Sequence, residues 1–426
     1  SYLIKYMNFF SRYKRPILII LFIIFTIVMA YLLYIVFFRR IEEPNLPGEE
    51  AGQEIITGFP EAGPSTNIRP TSSGGTGNLP EAGGESGNIS YIPSQEEPTD
   101  SRAMGGVTKT DQVINSLTIN PTINNQTGNI QYYDPFEGKF YKVSEDGSIS
   151  PLSNKVFHDV QQVTWSPNAD KAVLEYPDGS NVVYDFNKQQ QVTLPKHWES
   201  FDFSPNGNQL VMKSIGMDVD SHFLATANSD GSGAKVIEFI GENDKKVYPG
   251  WSPNNQVVAL YAEGLDYDRQ TVYFLGLNGE NFKSMVVPGR GFQYQWSPQG
   301  DKMLYSVYSS DNEMKPMLWI TNASGNQIGE NRQRLNLQTW AEKCTFASNE
   351  EIYCAVPTNL DYGAGLMPAL ANQTPDYIYK INTKTGSKQL VAIPDHNITV
   401  GSMMISPDGS KLFLTDKNTG VIRQIK

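Results

Sequence analysis

Three of the four histidines, His158, His197 and His396, stand seven to ten residues ahead of a serine that recurs along the chain, at Ser166, Ser204 and Ser406. Imidazole changes charge between about pH 5 and 8, so such a set can act as acid, base or anion partner. Segments at the same relative place carry Lys245, Arg290, Phe292 and Trp340. Bases supply charge-assisted donors and aromatics supply a stacking surface, so these seven residues together suit an anionic or sugar-like ligand or a peptide carboxylate. A second set is acidic: Asp218 and Asp220, Asp266 and Asp268, and Asp361. Asp-x-Asp spacing puts two carboxylates on one side of an extended segment. That holds Ca²⁺ only where backbone oxygens complete the shell, and solvated loop acids are the commoner outcome. No metal is expected from the histidines, which would have to converge from separate units without a carboxylate behind them.

The remaining reactive pair is Cys344 and Cys354, the two cysteines of the chain. If the turn between them centres on Asn349, they lie directly opposite each other on adjacent strands, with Cβ atoms about 4.5–5.5 Å apart. A disulfide wants about 3.5–4.5 Å, so a bond and two buried thiols both remain open.

The elements that must position these residues come from a repeated unit. Trp165-Ser166-Pro167, Phe203-Ser204-Pro205, Trp251-Ser252-Pro253, Trp296-Ser297-Pro298 and Ile405-Ser406-Pro407 each end one apolar run and precede another, with Phe346-Ala347-Ser348 as a worn copy. The serine positions, with Ala347 counted as the fifth, are 38, 48, 45, 50 and 59 residues apart. Proline presets φ for the early turn position, and Asn, Asp or Gly tolerates positive φ next, so the chain reverses between antiparallel strands. A third run follows (VVYDFNK, TVYFLGLNGE, MLWITNASG, YIYKINTKTG), then a shorter fourth. Four short strands per unit is blade arithmetic, and the aromatic ending the first strand is expected between neighbouring blades. An earlier unit, from SLTINPTINN to SISPLS, lacks the aromatic before Ser-Pro and brings the number to seven, with six as the fallback. The last unit stops after three strands. Because an open edge is a liability, Gly106–Thr110, just before the first unit, is expected to supply the missing outer strand.

These W-S-P-x-G-x-K units resemble the TolB-like, or WD40-like, propeller repeats of bacteria over roughly residues 115–426. The resemblance implies an all-β, seven-bladed propeller of four-stranded antiparallel blades and a role in binding and scaffolding. The hydrolase domain that accompanies some such propellers has no counterpart here, and no G-x-S-x-G nucleophile elbow occurs.

Ahead of the repeats, Pro16–Phe38 runs for 23 residues without a charge. About 20 apolar residues cross a bilayer core, and the run exceeds the roughly 7–15 residues of a signal-peptide h-region. Lys5, Arg12, Lys14 and Arg15 precede it and Arg39 and Arg40 follow it, a bias that places the N-terminus in the cytoplasm and the body outside. The expected organisation is a cytoplasmic segment 1–15, a transmembrane helix 16–38, a disordered acidic Gly/Pro-rich linker 39–103 and a propeller 104–426.

Charge and composition exclude some classes. The formal net charge is −11, with +6 in residues 1–40 and −9 in residues 41–112, and no basic stripe suits nucleic acid. No cofactor motif stands out; Gly74-Gly75-Thr76-Gly77 falls in the linker. The favoured reading is a scaffold or adaptor in the cell (inner) membrane that binds an envelope protein. A receptor for a glycan or peptide at the channel mouth is second. A lyase or hydrolase using His158, His197 or His396 is third.

Overall fold

The computed structural model describes residues 100–280 and 282–426, together with Phe22 and Met29, which are helical. Apart from those two positions, the apolar run and the linker through residue 99 lie outside the described residues. Among the described residues no helix is long and apolar enough to cross a membrane.

Residues 100–426 form a seven-bladed β-propeller. Blade 1 spans Ile119–Ile123 to Ile149–Pro151, blade 2 Gln162–Trp165 to Gln190–Leu194, and blade 3 Trp198–Phe203 to Lys235–Phe239. Blade 4 spans Val247–Pro249 to Met285–Val287, blade 5 Arg290–Trp296 to Gln333–Arg334, and blade 6 Cys344–Phe346 to Lys388–Pro394. Blade 7 begins at Val400–Ile405 and ends at Ile422–Ile425. Within each blade, successive strands pair antiparallel in chain order.

The Ser-Pro turns explain why the first two strands of a blade form. In five blades the serine amide donates to the carbonyl five residues on, at 2.8–2.9 Å: Ser166 to Lys171, Ser204 to Gln209, Ser252 to Val257, Ser297 to Lys302 and Ser406 to Lys411. The same serine's Oγ accepts that residue's amide at 2.8–3.0 Å. It also donates to Asp170, Asn206, Asn254, Asp301 or Asp408 respectively. The residue three past the serine is left-handed in each: Ala169, Gly207, Asn255, Gly300 and Gly409, with φ from 52° to 72°. In the worn copy, Ala347 N bonds Glu351 O, so that turn is one residue shorter. There the hydroxyl role passes to Ser348, whose Oγ accepts the Glu350 and Glu351 amides at 3.2 and 3.1 Å.

Burial is concentrated between blades. Seven apolar clusters each join two neighbours: Phe140 with Leu174, Leu194 with Phe201, Val211 with Trp251, and Phe274 with Tyr305. Leu318 with Ile352, Ala355 with Leu414, and Ile130 with Phe413 complete the circle. The aromatics that end the first strands pack toward the preceding blade, as expected: the Trp165 indole donates to Asn120 O at 2.7 Å, and Trp296 meets Phe274 edge to face at 6.2 Å.

The N-terminal segment closes the ring with a strand later than the expected one. Asp111–Ile114 pairs antiparallel with Ile422–Ile425 and completes blade 7. Within the expected segment Gly106–Thr110, Val107–Thr108 instead pairs parallel with Ile393–Pro394 and gives blade 6 a fifth strand. The reason is burial: Ile114 is 2% exposed in the core between blades 7 and 1, whereas Val107 is 36% exposed. Attachment begins earlier still, with Ala103 N donating to Lys426 O and Gly105 N to Val391 O.

Ser297→Ala removes the acceptor of the Lys302 amide at a fully buried serine. An unsatisfied buried donor costs about 1–3 kcal/mol. Urea unfolding is expected to show a lower midpoint with an unchanged slope; an unchanged midpoint would deny the hydroxyl this role.

Candidate functional site

In each blade the loop between second and third strands and the connector to the next blade leave on the same face. Both candidate residue sets lie there. His158 and His197 are exposed in the turns before blades 2 and 3, and Lys245 is exposed in the 3-10 turn Gly241–Lys246 before blade 4. His396 is exposed before blade 7, with Nδ1 2.9 Å from Asp395 Oδ1. That same Asp395 oxygen also accepts the Thr110 amide and hydroxyl, which ties it to the closing segment. The three histidines belong to different blades, and none hydrogen-bonds another among the described residues. No group of three or more His, Cys, Asp or Glu is placed to hold a metal among the described residues.

Three of the seven expected rim residues are built into the frame. Arg290 Nη1 donates to Asp266 O at 2.9 Å, and the guanidinium lies so close over Gly264 that a Cβ there would meet it at 2.1 Å. Phe292 is buried and stacks on Tyr294 at 5.7 Å within the core of blades 4 and 5. Trp340 is buried beneath Leu360, Ala364 and Ala371 of the long blade 6 loop. The mouth therefore presents charge without its two expected aromatics. Strand alternation turns Phe292 into the blade interface, and the inserted loop covers Trp340.

The acidic loops do mechanical work. Asp266 is paired with Arg269, whose Nε donates at 2.6 Å and holds the carboxyl below its ordinary range. Asp268 Oδ1 accepts Ser310 N of blade 5 at 2.7 Å. Gly363 N and Gly365 N of blade 6 then donate to Glu313 O and Met314 O of blade 5, at 2.9 and 2.7 Å. The second–third loops of blades 4, 5 and 6 thus form one bonded ridge. Asp218, Asp220 and Asp361 stay exposed beside it. These loops also expose large apolar side chains: Met217 in blade 3, Leu265 and Tyr267 in blade 4, then Tyr362, Leu366 and Met367 in blade 6. The sequence marks these loops by their acids rather than by this patch. The available signal was Leu, Tyr and Met among turn residues that no strand could bury.

Near this face sit groups that lock strands or blades together. Cys344 and Cys354 are register partners on the first two strands of blade 6 and form a disulfide. Lys343 Nζ lies 2.6 and 2.7 Å from the two Asp376 oxygens, and Asp376 Oδ2 also accepts Val400 N of blade 7 at 2.7 Å. Burial pulls Lys343 down and Asp376 up, and the mutual attraction opposes both shifts. Asp202 Oδ2 on the inner strand of blade 3 accepts Trp251 N of blade 4 at 2.6 Å. Burial pushes the Asp202 carboxyl up to about 6, against this bond and one from Phe203 N.

Two measurements follow from these locks. Replacing Cys344 and Cys354 together with alanine is expected to cost about 2–4 kcal/mol, read by denaturant unfolding against oxidised and reduced wild type. Because the folded pKa of Asp202 lies above its unfolded value of 3.8, its contribution is fully present below about pH 4 and is lost as pH rises through about 6. The stability difference between wild type and Asp202→Asn is therefore expected to change across pH 4–6 and to stay flat above it. A constant difference would show that Asp202 titrates normally.

No family profile and no curated protein matches the sequence. Solved structures do match in shape. The Cps50 (Swd1) β-propeller domain of Myceliophteria thermophila aligns with a TM-score of 0.51 at 12% identity, covering 75% of this chain and 98% of that one. A chain of a mitotic checkpoint complex gives 0.49 at 15% identity, covering 79% and 96%. An oligogalacturonate lyase in complex with manganese gives 0.46 at 12% identity, covering 73% and 89%. At such identities the likeness shows the fold alone: this chain is similar to WD40-like β-propellers in architecture.

Proposed function

We propose that this chain is a single-pass membrane protein whose propeller stands on the extracytoplasmic side of a cell envelope and acts as a protein-binding scaffold or adaptor. The repeats support placing it with the TolB-like propellers they resemble. The observation that carries the reading is the loop ridge of blades 4, 5 and 6. It is cross-bonded and exposes Leu265, Tyr267, Tyr362, Leu366 and Met367 together on one face. Exposed apolar side chains gathered on a rigid support are what a protein partner covers, and loops on a scaffold are where binding concentrates. The apolar run Pro16–Phe38 and its flanking bases support the anchor and its orientation. The disulfide agrees with an oxidising compartment.

The test is crosslinking capture of the full-length chain from membranes beside two variants. Tyr267→Asp with Leu366→Asp is expected to lose the captured partner. His158→Ala with His197→Ala is expected to keep it. Loss in the histidine variant alone would move function to the channel mouth, and a chain released from membranes by alkaline wash would refute the anchor.

A further inference from the structure

A groove of about 520 Å³ runs between blades 5 and 6, beside the loop ridge. That volume falls within the roughly 300–1,000 Å³ of small-molecule sites. One wall carries Arg334, Asn336 and Gln338, alternate residues of the outer segment of blade 5. The intervening Leu335 and Leu337 turn into the core, 3% and 0% exposed, which fixes the other three toward the groove. The facing wall is the third strand of blade 6 and carries Tyr377 and Tyr379, also alternate residues. Their side chains share one face about 6.7 Å apart along the strand. Asn359 stands at the mouth.

Five polar side chains of this groove are unspent, although Gln338 donates to Asn312 at 3.4 Å. The Arg334 guanidinium, the Asn336 and Asn359 amides and the two tyrosine hydroxyls form no hydrogen bond or ion pair among the described residues. Lys315, the other cation there, is held by Glu313 at 2.6 Å. A comparable groove of about 430 Å³ between blades 7 and 1 has no tyrosine or arginine in its lining, and two of its carboxylates are taken up by their own turns. Its Asp408 is bonded to Ser406 and Ser410, and its Asp146 to Ser148.

The chemistry selects a ligand class. A peptide that binds through hot spots needs a deep apolar pocket for an anchor. Here the apolar floor residues Met317, Val356 and Leu360 are only 5–6% exposed, so the accessible lining is amide, phenol and guanidinium, with the Asp311 and Glu313 carboxylates on the loop side. Amide groups both donate and accept, which matches hydroxyls that do the same. Two phenol rings at strand spacing offer flat surfaces with polar tips.

We infer that this groove binds an oligosaccharide, with two adjacent sugar rings laid on Tyr377 and Tyr379 and their hydroxyls held by Arg334, Asn336 and Asn359. The groove borders the ridge and shares the loop residues Asp311, Asn312, Glu313, Lys315 and Asn359 with it, but Arg334, Asn336, Tyr377 and Tyr379 lie outside the ridge loops, so glycan binding there does not depend on the scaffold reading. The test applies the full chain in detergent to an array of oligosaccharides of three to six rings and to an array of random dodecapeptides. The best glycan is then titrated by calorimetry. Arg334→Ala and Tyr379→Ala are each expected to weaken it by about tenfold, a loss of 1.4 kcal/mol. Tyr267→Ala on the ridge is expected to leave it unchanged. Arg334 is exposed, so its variant keeps the fold, and matching thermal unfolding confirms that. Glycan binding that neither variant weakens, binding of peptides alone, or no glycan bound at all would each overturn the assignment. Failure of the wild-type chain to capture any protein partner, with glycan binding intact, would instead refute the scaffold reading alone.

Discussion

Inside five of the seven first hairpins, one serine hydroxyl accepts the amide five residues on and donates to a carboxylate or amide oxygen of its own turn. Burying the hydroxyl this way forces the residue three past the serine into the left-handed region and fixes the register of the two inner strands. Two of these turns also receive bonds from neighbouring turns. Asn124 of blade 1 reaches Asn168 O, Asn254 of blade 4 reaches Gly300 O, and Asn349 of blade 6 reaches Asp301 of blade 5. The local turn and the ring therefore have one physical origin. The hydrogen bonds that reverse the chain also set where the next blade must sit, and the seven apolar clusters follow from that spacing.

A ring built from repeated units still has a seam. The last unit has three strands, and Asp111–Ile114 supplies the fourth from the other end of the chain. The adjoining interface between blades 6 and 7 carries the Lys343–Asp376 pair bonded onward to Val400, while the Cys344–Cys354 disulfide ties the two inner strands of blade 6 on the side it shares with blade 5. The parallel strand Val107–Thr108 clasps the outer edge of blade 6. A buried ion pair adds little net stability by itself, but losing one partner strands a charge, so it discriminates against wrong packing at the seam. The outcome is a stiff platform on which loops can project apolar side chains without collapsing onto each other.

Much of this was legible in the sequence because turn chemistry is local. The Ser-Pro spacing accounts for six blades and the strand rhythm of the unit ahead of them for the seventh, and the symmetric placement about Asn349 puts Cys344 opposite Cys354. What failed was nonlocal. Phe292 and Trp340 sit at rim positions in the repeat, yet their exposure depends on a neighbouring blade and on an insertion that folds back over Trp340. The closing strand was placed a few residues early because Gly106–Thr110 and Asp111–Ile114 are both short and β-compatible. Only the hole between blades 7 and 1 distinguishes them, and Ile114 fills it. The groove between blades 5 and 6 left no sequence signal, since its two walls come from separate units.

The claim that everything else rests on is a single closed ring in which the segment at 111–114 is part of the last blade. Native-state hydrogen exchange followed by mass spectrometry tests it directly. A closed ring predicts that amides of Asp111–Ile114 exchange as slowly as those of Ile422–Ile425 and are released only by global unfolding. Rapid exchange at 111–114 beside a protected blade 1 would show an open ring and contradict the account.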